Sequence, residues 1–140
     1  MSEKASAPPT PLPLLAGFAA QFYAHCRKRE LRFQRCTACG KWRHVPRHTC
    51  AACGSPQWEW ARSSGRGRVF TWTVVRRPMH PAFTAVPYAP AIVEMEEGPR
   101  LVSWVLDCPP EALRKGLPVE VCFEDLSPEV TLPRFRRCAA

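Results

Sequence analysis

The sequence predicts a mainly β protein, in which an N-terminal helix is followed by a small zinc ribbon and a closed β-barrel. Three observations favour this fold class. The 140 residues include 16 prolines and 7 glycines, which divide the chain into short elements and turns. Two Cys-X-X-Cys units lie close together near the front of the chain. Several short runs of β-branched and aromatic residues follow them, a pattern typical of a small barrel.

The first two segments differ in their hydrophobic pattern. Residues 1–13 are rich in proline, alanine and serine without periodicity, which predicts a disordered tail. Residues 14–30 have the spacing of an amphipathic helix, with basic residues in the last turn, where cations favour the helix dipole. The apolar stripe of this helix needs cover from the rest of the chain or from a partner. It consists of Leu14, Leu15, Phe18, Phe22 and Cys26.

Two near copies of one cysteine motif indicate a structural zinc site. Cys36 and Cys39, like Cys50 and Cys53, are three residues apart and are followed by glycine. The two cysteines of such a pair coordinate one metal ion from a single tight turn, and the glycine permits a positive φ there. Because four sulfur ligands leave no open coordination position, we expect no zinc catalysis. The sequence therefore predicts a zinc ribbon over residues 31–60.

Several alternatives for these cysteines stay open at this point. A rubredoxin-type iron site uses the same ligands, and a thiol redox site needs only one pair. His44 and His48 lie between the pairs, but since a fourth cysteine is present we expect them on the ribbon surface. A disulfide framework requires an oxidising compartment. We find no signal peptide and no apolar run of the ~18–20 residues that a membrane span needs, so we expect a cytoplasmic protein.

Residues 61–137 contain the runs that predict the barrel. A long loop over residues 78–90 holds four prolines, and a helical turn closed by glycine is expected over residues 109–116. The predicted strands are 68–77, 91–96, 101–106, 119–124 and 132–135.

The formal charge of +8 is concentrated around the cysteines. Residues 26–68 contain eleven lysines and arginines against two acidic residues, a balance of +9, whereas residues 69–140 hold eight basic and nine acidic residues. A zinc ion with four thiolates carries a net charge of about −2, which leaves this part of the chain strongly cationic. We therefore expect the ribbon to face something anionic.

A series of further motifs accompanies the two cysteine pairs. They are Trp58-Glu59-Trp60, Ser64-Gly65-Arg66-Gly67, the run 69–75, Pro87-Tyr88, Val93-Glu94, Glu97-Gly98-Pro99-Arg100-Leu101-Val102 and Gly116-Leu117-Pro118-Val119-Glu120-Val121. With the helix and the cysteines, this order resembles a family of bacterial and archaeal zinc-ribbon/OB-fold proteins associated with acyl-CoA enzymes, long catalogued as a domain of unknown function. The resemblance covers residues 14–136. It implies a rubredoxin-like zinc ribbon and a C-terminal OB-fold barrel.

The resemblance also implies a function. Members of the family are non-catalytic accessory or bridging subunits, in hetero-oligomers with a thiolase-like catalytic subunit: a thiolase, an aldolase or an acyltransferase. They support that subunit and can border the CoA site at the shared interface. Because CoA is polyanionic, arginines are candidates for contacts to its phosphates or to the partner. The candidates are Arg62, Arg66, Arg68, Arg76 and Arg77.

Features of the sequence also bear on two other functions. The first alternative is a single-stranded nucleic-acid-binding module, because OB folds and zinc ribbons both bind nucleic acid. Its stacking candidates would be Trp58, Trp60, Phe70 and Trp72, although the same pattern describes a barrel core. Catalysis by this chain alone is not expected, because the sequence has no nucleophile elbow, phosphate loop or positioned acid–base pair. His80 in the long loop is the one residue considered for a shared active site.

Overall fold

A computed structural model describes residues 10–138, so the predicted tail over residues 1–13 lies largely outside the described residues. The elements, in chain order, are the helix α1 (Gly17–Arg27), the strands β1 (Arg32–Cys36), β2 (Trp42–Arg43), β3 (Trp58–Arg62), β4 (Arg66–Trp72), β5 (Pro90–Met95) and β6 (Arg100–Leu106), a 3₁₀ turn (Pro110–Ala112), and the strands β7 (Pro118–Asp125) and β8 (Thr131–Arg137). Among these described residues, no helix has the length and apolar character needed to cross a membrane.

Strands β4 to β8 form a closed barrel in the order β4-β5-β6-β8-β7. The barrel closes where β7 pairs with β4, and all neighbours are antiparallel except β6 and β8, which are parallel. Apolar side chains that alternate along the strands fill the interior. Val69, Val93, Val119 and Phe135 expose at most 1% of their surface. This five-stranded barrel confirms the predicted OB fold.

Steric crowding explains the two glycines of the Gly65-Arg66-Gly67 motif at the start of β4. A Cβ atom on Gly67 would lie 2.6 Å from the carbonyl oxygen of Glu94 and 2.9 Å from a methyl group of Val93. Gly65 has a φ of +79°, and a Cβ atom there would meet Val121 at 2.6 Å. Strand β4 therefore approaches both neighbouring strands more closely than a side chain permits at these two positions.

Helix α1 begins at Gly17, three positions later than the sequence predicts. Ala16 is extended and Gly17 has a φ of +59°, so the helical path does not continue back to Leu14 and Leu15. Leu14 is 83% exposed and Leu15 is 40% exposed. Phe22 and Cys26 of the remaining stripe are buried by the chain itself, since α1 packs against β1, β7 and β8, whereas Phe18 is half-buried.

The predicted strand over residues 68–77 is also shifted. Strand β4 begins at Arg66 and ends at Trp72, and beyond it a single bridge joins Val75 to Tyr88 across the long loop. The three strands before the barrel form their own sheet, in the order β2-β1-β3, with β1 in the centre. The end of this sheet carries the first cysteine of the metal centre, because Cys36 is the last residue of β1.

Candidate metal centre and the charged surface around it

The two cysteine motifs fold into matching turns. The amide of Gly40 donates to the carbonyl of Cys36 at 2.8 Å, and the amide of Gly54 donates to the carbonyl of Cys50 at 2.7 Å. Both glycines have a φ near the left-handed region, +79° and +76°, as the sequence motif requires. Each turn therefore holds its two sulfur atoms on the same side.

The four sulfur atoms of Cys36, Cys39, Cys50 and Cys53 lie within 4.8 Å of one another. The Cys36–Cys53 and Cys39–Cys50 sulfur distances are 3.6 and 3.7 Å. A tetrahedral site with zinc–sulfur bonds of about 2.3 Å has edges of about 3.8 Å, so the cluster fits zinc. The cluster indicates a structural zinc ion, held by four ligands that leave no position for a substrate.

Backbone amides favour the thiolate form that zinc requires. The amides of Cys53 and Ala52 lower the pKa of Cys50 to about 6, and the amide of Cys39 leads the groups that lower the pKa of Cys36. The amide of Ser55 acts in the same direction on Cys53, but the hydrogen bond with the Cys36 thiol and the other neighbours raise the pKa of Cys53 to about 11. A bound divalent cation offsets the effect of the neighbouring cysteines on Cys53, because its charge stabilises all four thiolates together.

The two histidines of the ribbon do not join the cluster. His48 is exposed and packs on Phe18, with ring centroids 4.8 Å apart. His44 was expected on the surface, but its ring packs between Phe22 and Phe33 at 5.2 and 5.3 Å. Burial lowers the pKa of His44 to about 4. The prediction for His44 was wrong because the chain folds back over the helix at this point.

The five candidate arginines are not brought together. Arg66 and Arg68 line one groove with Glu94 and Glu96, and Arg66 approaches Glu96 at 3.6 Å. Arg62, the last residue of β3, lies 3.8 Å from Glu30. Arg76 and Arg77 lie beyond the end of β4 at Trp72, where the long loop begins. The five arginines therefore belong to separate parts of the chain.

The four aromatic residues that are candidates for nucleic-acid stacking are half-buried and contact other side chains. Trp58 and Trp60 pack edge to face at 5.2 Å, and the indole N–H of Trp60 donates to Gln21 of the helix at 2.7 Å. The guanidinium of Arg100 lies 3.8 Å from the ring centroid of Phe70. Trp72 packs against the barrel core. These rings therefore support the fold and do not form an open stacking surface.

His80 lies exposed in the long loop, where its Nδ1 accepts a hydrogen bond from the amide of Ala82 at 3.0 Å. Among the described residues, no carboxylate is hydrogen-bonded to it. The long loop also carries Phe83 and Tyr88, which pack against Trp104 of β6. The arrangement around His80 is that of an ordered surface loop.

Arg43 and Arg47, which lie between the cysteine pairs, are not among the residues that the sequence predicts for a site. Arg43 donates through Nε to the side-chain oxygen of Gln34 at 2.7 Å and through Nη2 to the carbonyl of Arg47 at 3.0 Å. Gln34 is fully buried. The local excess of positive charge was the available signal, but only the fold shows which arginines are held in place.

Comparison with known families follows the same division of the chain. Residues 24–59 match a family model described as "ChsH2, rubredoxin-like zinc ribbon domain". Residues 60–124 match one described as "ChsH2, C-terminal OB-fold domain". The boundary between the two matches falls within β3, the last strand of the ribbon sheet.

The chain matches two curated relatives over different shares of their lengths. The chain is 32% identical over 104 residues to a "DUF35 domain-containing scaffold protein" from Methanothermobacter thermautotrophicus, which covers 74% of this chain and 78% of the relative. It is 38% identical over 126 residues to a "Probable enoyl-CoA hydratase alpha subunit" from Thermomonospora curvata. That match covers 90% of this chain but only 39% of the relative.

Two solved structures are similar. One described as "Ltp2-ChsH2(DUF35) aldolase" superposes with a TM-score of 0.78 at 39% identity, covering 84% of this chain and 92% of that chain. The other is a DUF35 protein of unknown function from Sulfolobus solfataricus, which superposes with a TM-score of 0.61 at 14% identity. The superposition covers 86% of this chain and 84% of that chain. The second comparison supports the fold alone.

Proposed function

The chain belongs to the family of ChsH2-type zinc-ribbon/OB-fold proteins that includes the DUF35 scaffold proteins, and we propose that it is a non-catalytic accessory or bridging subunit of a thiolase-superfamily acyl-CoA enzyme. The likeness to the Ltp2-ChsH2(DUF35) aldolase carries this proposal, because it covers 92% of that chain at 39% identity. A curated relative named as an enoyl-CoA hydratase subunit adds the link to acyl-CoA chemistry. The chain spans only 39% of that relative, so we do not extend its hydratase activity to this chain.

The fold suits a scaffold because its parts are joined at several points. The amide of Ser63, at the start of the barrel, donates to the carbonyl of Leu31 in the ribbon at 2.8 Å. The hydroxyl of Ser63 donates in turn to the carboxylate of Glu97, between β5 and β6. The closed zinc site holds the ribbon without offering a reactive metal. A body of this kind presents a ribbon and a barrel to two neighbours in a fixed relation.

Three of the candidate arginines are the best placed for contacts with acyl-CoA phosphates or with an acidic partner surface. Arg68, Arg76 and Arg77 are exposed and have no ion pair among the described residues. Arg62 and Arg66 share their charge with Glu30 and Glu96. We therefore restrict this part of the proposal to the first three.

Co-expression tests the proposed function. The tagged chain is produced together with each thiolase-fold protein of its genome, and the products are separated by size-exclusion chromatography. We expect one of these proteins to co-elute in a defined stoichiometry and to lose stability or acyl-CoA turnover when the chain is left out. Turnover of acyl-CoA by the purified chain alone, abolished by His80→Ala, would contradict a non-catalytic role. So would a thiolase-fold enzyme whose turnover is unchanged without the chain.

The concentrated positive charge favours one alternative, a single-stranded nucleic-acid-binding module. Residues 26–68 carry a balance of +9, which is enough to attract a phosphate backbone at low salt. The half-buried aromatic rings count against a specific complex, because base stacking needs an open ring face.

A further inference from the structure

The loop that joins the two cysteine turns forms an open pocket of about 580 Å³. Four nitrogen-bearing side chains line it and no acidic residue does: Arg43, His44, Arg47 and His48. Among the described residues, neither arginine forms an ion pair with a carboxylate. The pocket therefore presents positive charge that no carboxylate balances, beside the zinc–thiolate cluster with its net charge of about −2.

Arg43 is fixed in this pocket before any ligand arrives. Its Nε donates to Gln34 Oε1 at 2.7 Å, its Nη2 donates to the carbonyl of Arg47 at 3.0 Å, and the amide of Arg47 donates to the same Gln34 oxygen at 2.7 Å. The Nη1 of Arg43 and the Nε2 of Gln34 are buried donors without an acceptor among the described residues. Both atoms are closed off from solvent. The guanidinium of Arg43 is nevertheless held in one place at the pocket, and a fixed guanidinium charge favours a carboxylate or a phosphate.

An apolar groove of about 240 Å³ lies directly beside the cationic pocket. The helix contributes Phe18, Phe22 and Tyr23, and the loop contributes Val45 and Pro46. His44 and Val45 line both cavities, and Val45 is 62% exposed on the ridge between them. We call the groove and the pocket together the loop–helix surface.

Exposed apolar side chains precede this surface in the chain. Leu14 and Leu15 lie four and three residues before Phe18, just ahead of the helix, and are 83% and 40% exposed. Phe18 itself contacts His48 of the pocket at 4.8 Å. Large exposed apolar side chains beside a groove are typical of protein-interaction surfaces. The combination of such a groove with unbalanced positive charge specifies what fits it.

We propose that the loop–helix surface docks a segment of the catalytic subunit in which an apolar side chain is adjacent to a carboxylate. The apolar side chain fills the groove beside Val45, and the carboxylate pairs with the exposed guanidinium of Arg47 and is attracted by the positive charge of Arg43 beside it. A small inorganic anion occupies only the pocket and leaves the groove open. A nucleic acid needs a free ring face, whereas Phe18 is flanked by His48 and Trp58. The inference rests on the proposed function for the identity of the docking protein.

Two substitutions test the surface in the zinc-loaded full chain. Arg47→Glu reverses the exposed charge, and Val45→Asp places a carboxylate on the ridge. Arg114→Glu and Met79→Asp are the matched controls, because both residues are exposed and lie on the barrel side of the chain. One zinc ion per chain confirms that the ribbon of each variant is folded. We expect each test variant to raise the Kd for the co-eluting thiolase-fold protein at least tenfold, and each control to change it less than twofold.

The outcomes separate this inference from the proposed function. A complex that forms with unchanged affinity for both Arg47→Glu and Val45→Asp overturns the inference and leaves the proposed function standing. A wild-type chain that binds no thiolase-fold protein overturns both. Binding of free CoA or of a single-stranded oligonucleotide that Arg47→Glu abolishes, with protein binding unchanged, assigns the pocket to that ligand and also overturns the inference.

Discussion

Arg29, just beyond helix α1, holds Asp125 of strand β7 in a two-point ion pair. The guanidinium Nη1 and Nη2 donate to the two carboxylate oxygens at 2.9 and 2.7 Å. The hydroxyl of Thr131 adds a third hydrogen bond to Asp125 at 2.6 Å. The guanidinium first, and then the hydroxyl, hold the pKa of Asp125 well below its usual range. The pair joins residues 96 positions apart and thereby ties the helix to the barrel.

We expect Asp125→Asn to destabilise the protein at neutral pH and to have little effect in acid. Because the folded-state pKa is below the unfolded value of about 3.9, the contribution of Asp125 is fully present above roughly pH 5 and is lost as the pH falls below 4. The pair is exposed, so the difference in Tm at pH 7 should be on the order of 1–3 °C.

Thermal unfolding of wild type and variant, compared at the same pH from 7 to 3, checks this expectation. Glu59→Gln serves as the control, since Glu59 is exposed and makes no side-chain contact among the described hydrogen bonds and ion pairs. A difference between wild type and Asp125→Asn that stays constant over this range would show that the charge of Asp125 is not the cause.

We expect Cys50→Ala to abolish zinc binding. Cys50 is a buried ligand of the cluster, and removing it leaves three sulfur atoms for a metal that structural sites bind with four ligands. The zinc content should fall from one ion per chain to about zero, and the amides of β1–β3 should lose protection from hydrogen exchange. Cys122→Ala on the barrel is the control and should keep its zinc. Full zinc content in Cys50→Ala would exclude this ligand set.

Gly67→Ala is expected to lower the free energy of unfolding by about 1–3 kcal/mol, because the added methyl group overlaps the carbonyl oxygen of Glu94 on the neighbouring strand. Urea denaturation measures the change. Thr71→Ala lies exposed on the same strand and should stay within about 0.5 kcal/mol of wild type. Equal effects of the two substitutions would mean that the close approach of β4 and β5 is unimportant for stability.

Binding to single-stranded DNA should be weak and electrostatic. Arg100 lies over the ring of Phe70, and Trp60 is half-buried with its indole N–H bound to Gln21, so we expect phosphate contacts to dominate. Fluorescence anisotropy with a labelled oligonucleotide should show binding at 50 mM salt that disappears at 200 mM. Micromolar binding that persists at 200 mM, and that Trp58→Ala removes, would instead support the nucleic-acid function.

The metal centre was predictable because its signal is local. Cys36, Cys39, Cys50 and Cys53 sit in two short motifs whose turn geometry follows from the cysteine spacing and the glycine alone. The barrel strands were predictable for a similar reason, since alternation over a few residues decides which side chains face the core. Both features need little information from distant parts of the chain.

The helix start and the place of His44 were not predictable from periodicity. Leu14 and Leu15 continue the apolar stripe in sequence, but the backbone at Gly17 breaks the helix before them. His44 was assigned to the surface because a fourth cysteine already completes the metal site, yet the tertiary fold packs its ring between Phe22 and Phe33. In the same way, Arg43 becomes distinctive only because Gln34, nine residues away, is buried beneath it.

The position of β8 has a consequence for the order of events during synthesis. This strand lies between β6 and β7 in the barrel and also packs against α1, so the barrel stays open until residue 137 has left the ribosome. The ribbon sheet needs nothing beyond residue 62 and is free to bind its metal while the barrel is still being translated. Until then, β6 and β7 expose unpaired strand edges, which are the part of the nascent chain most prone to aggregation.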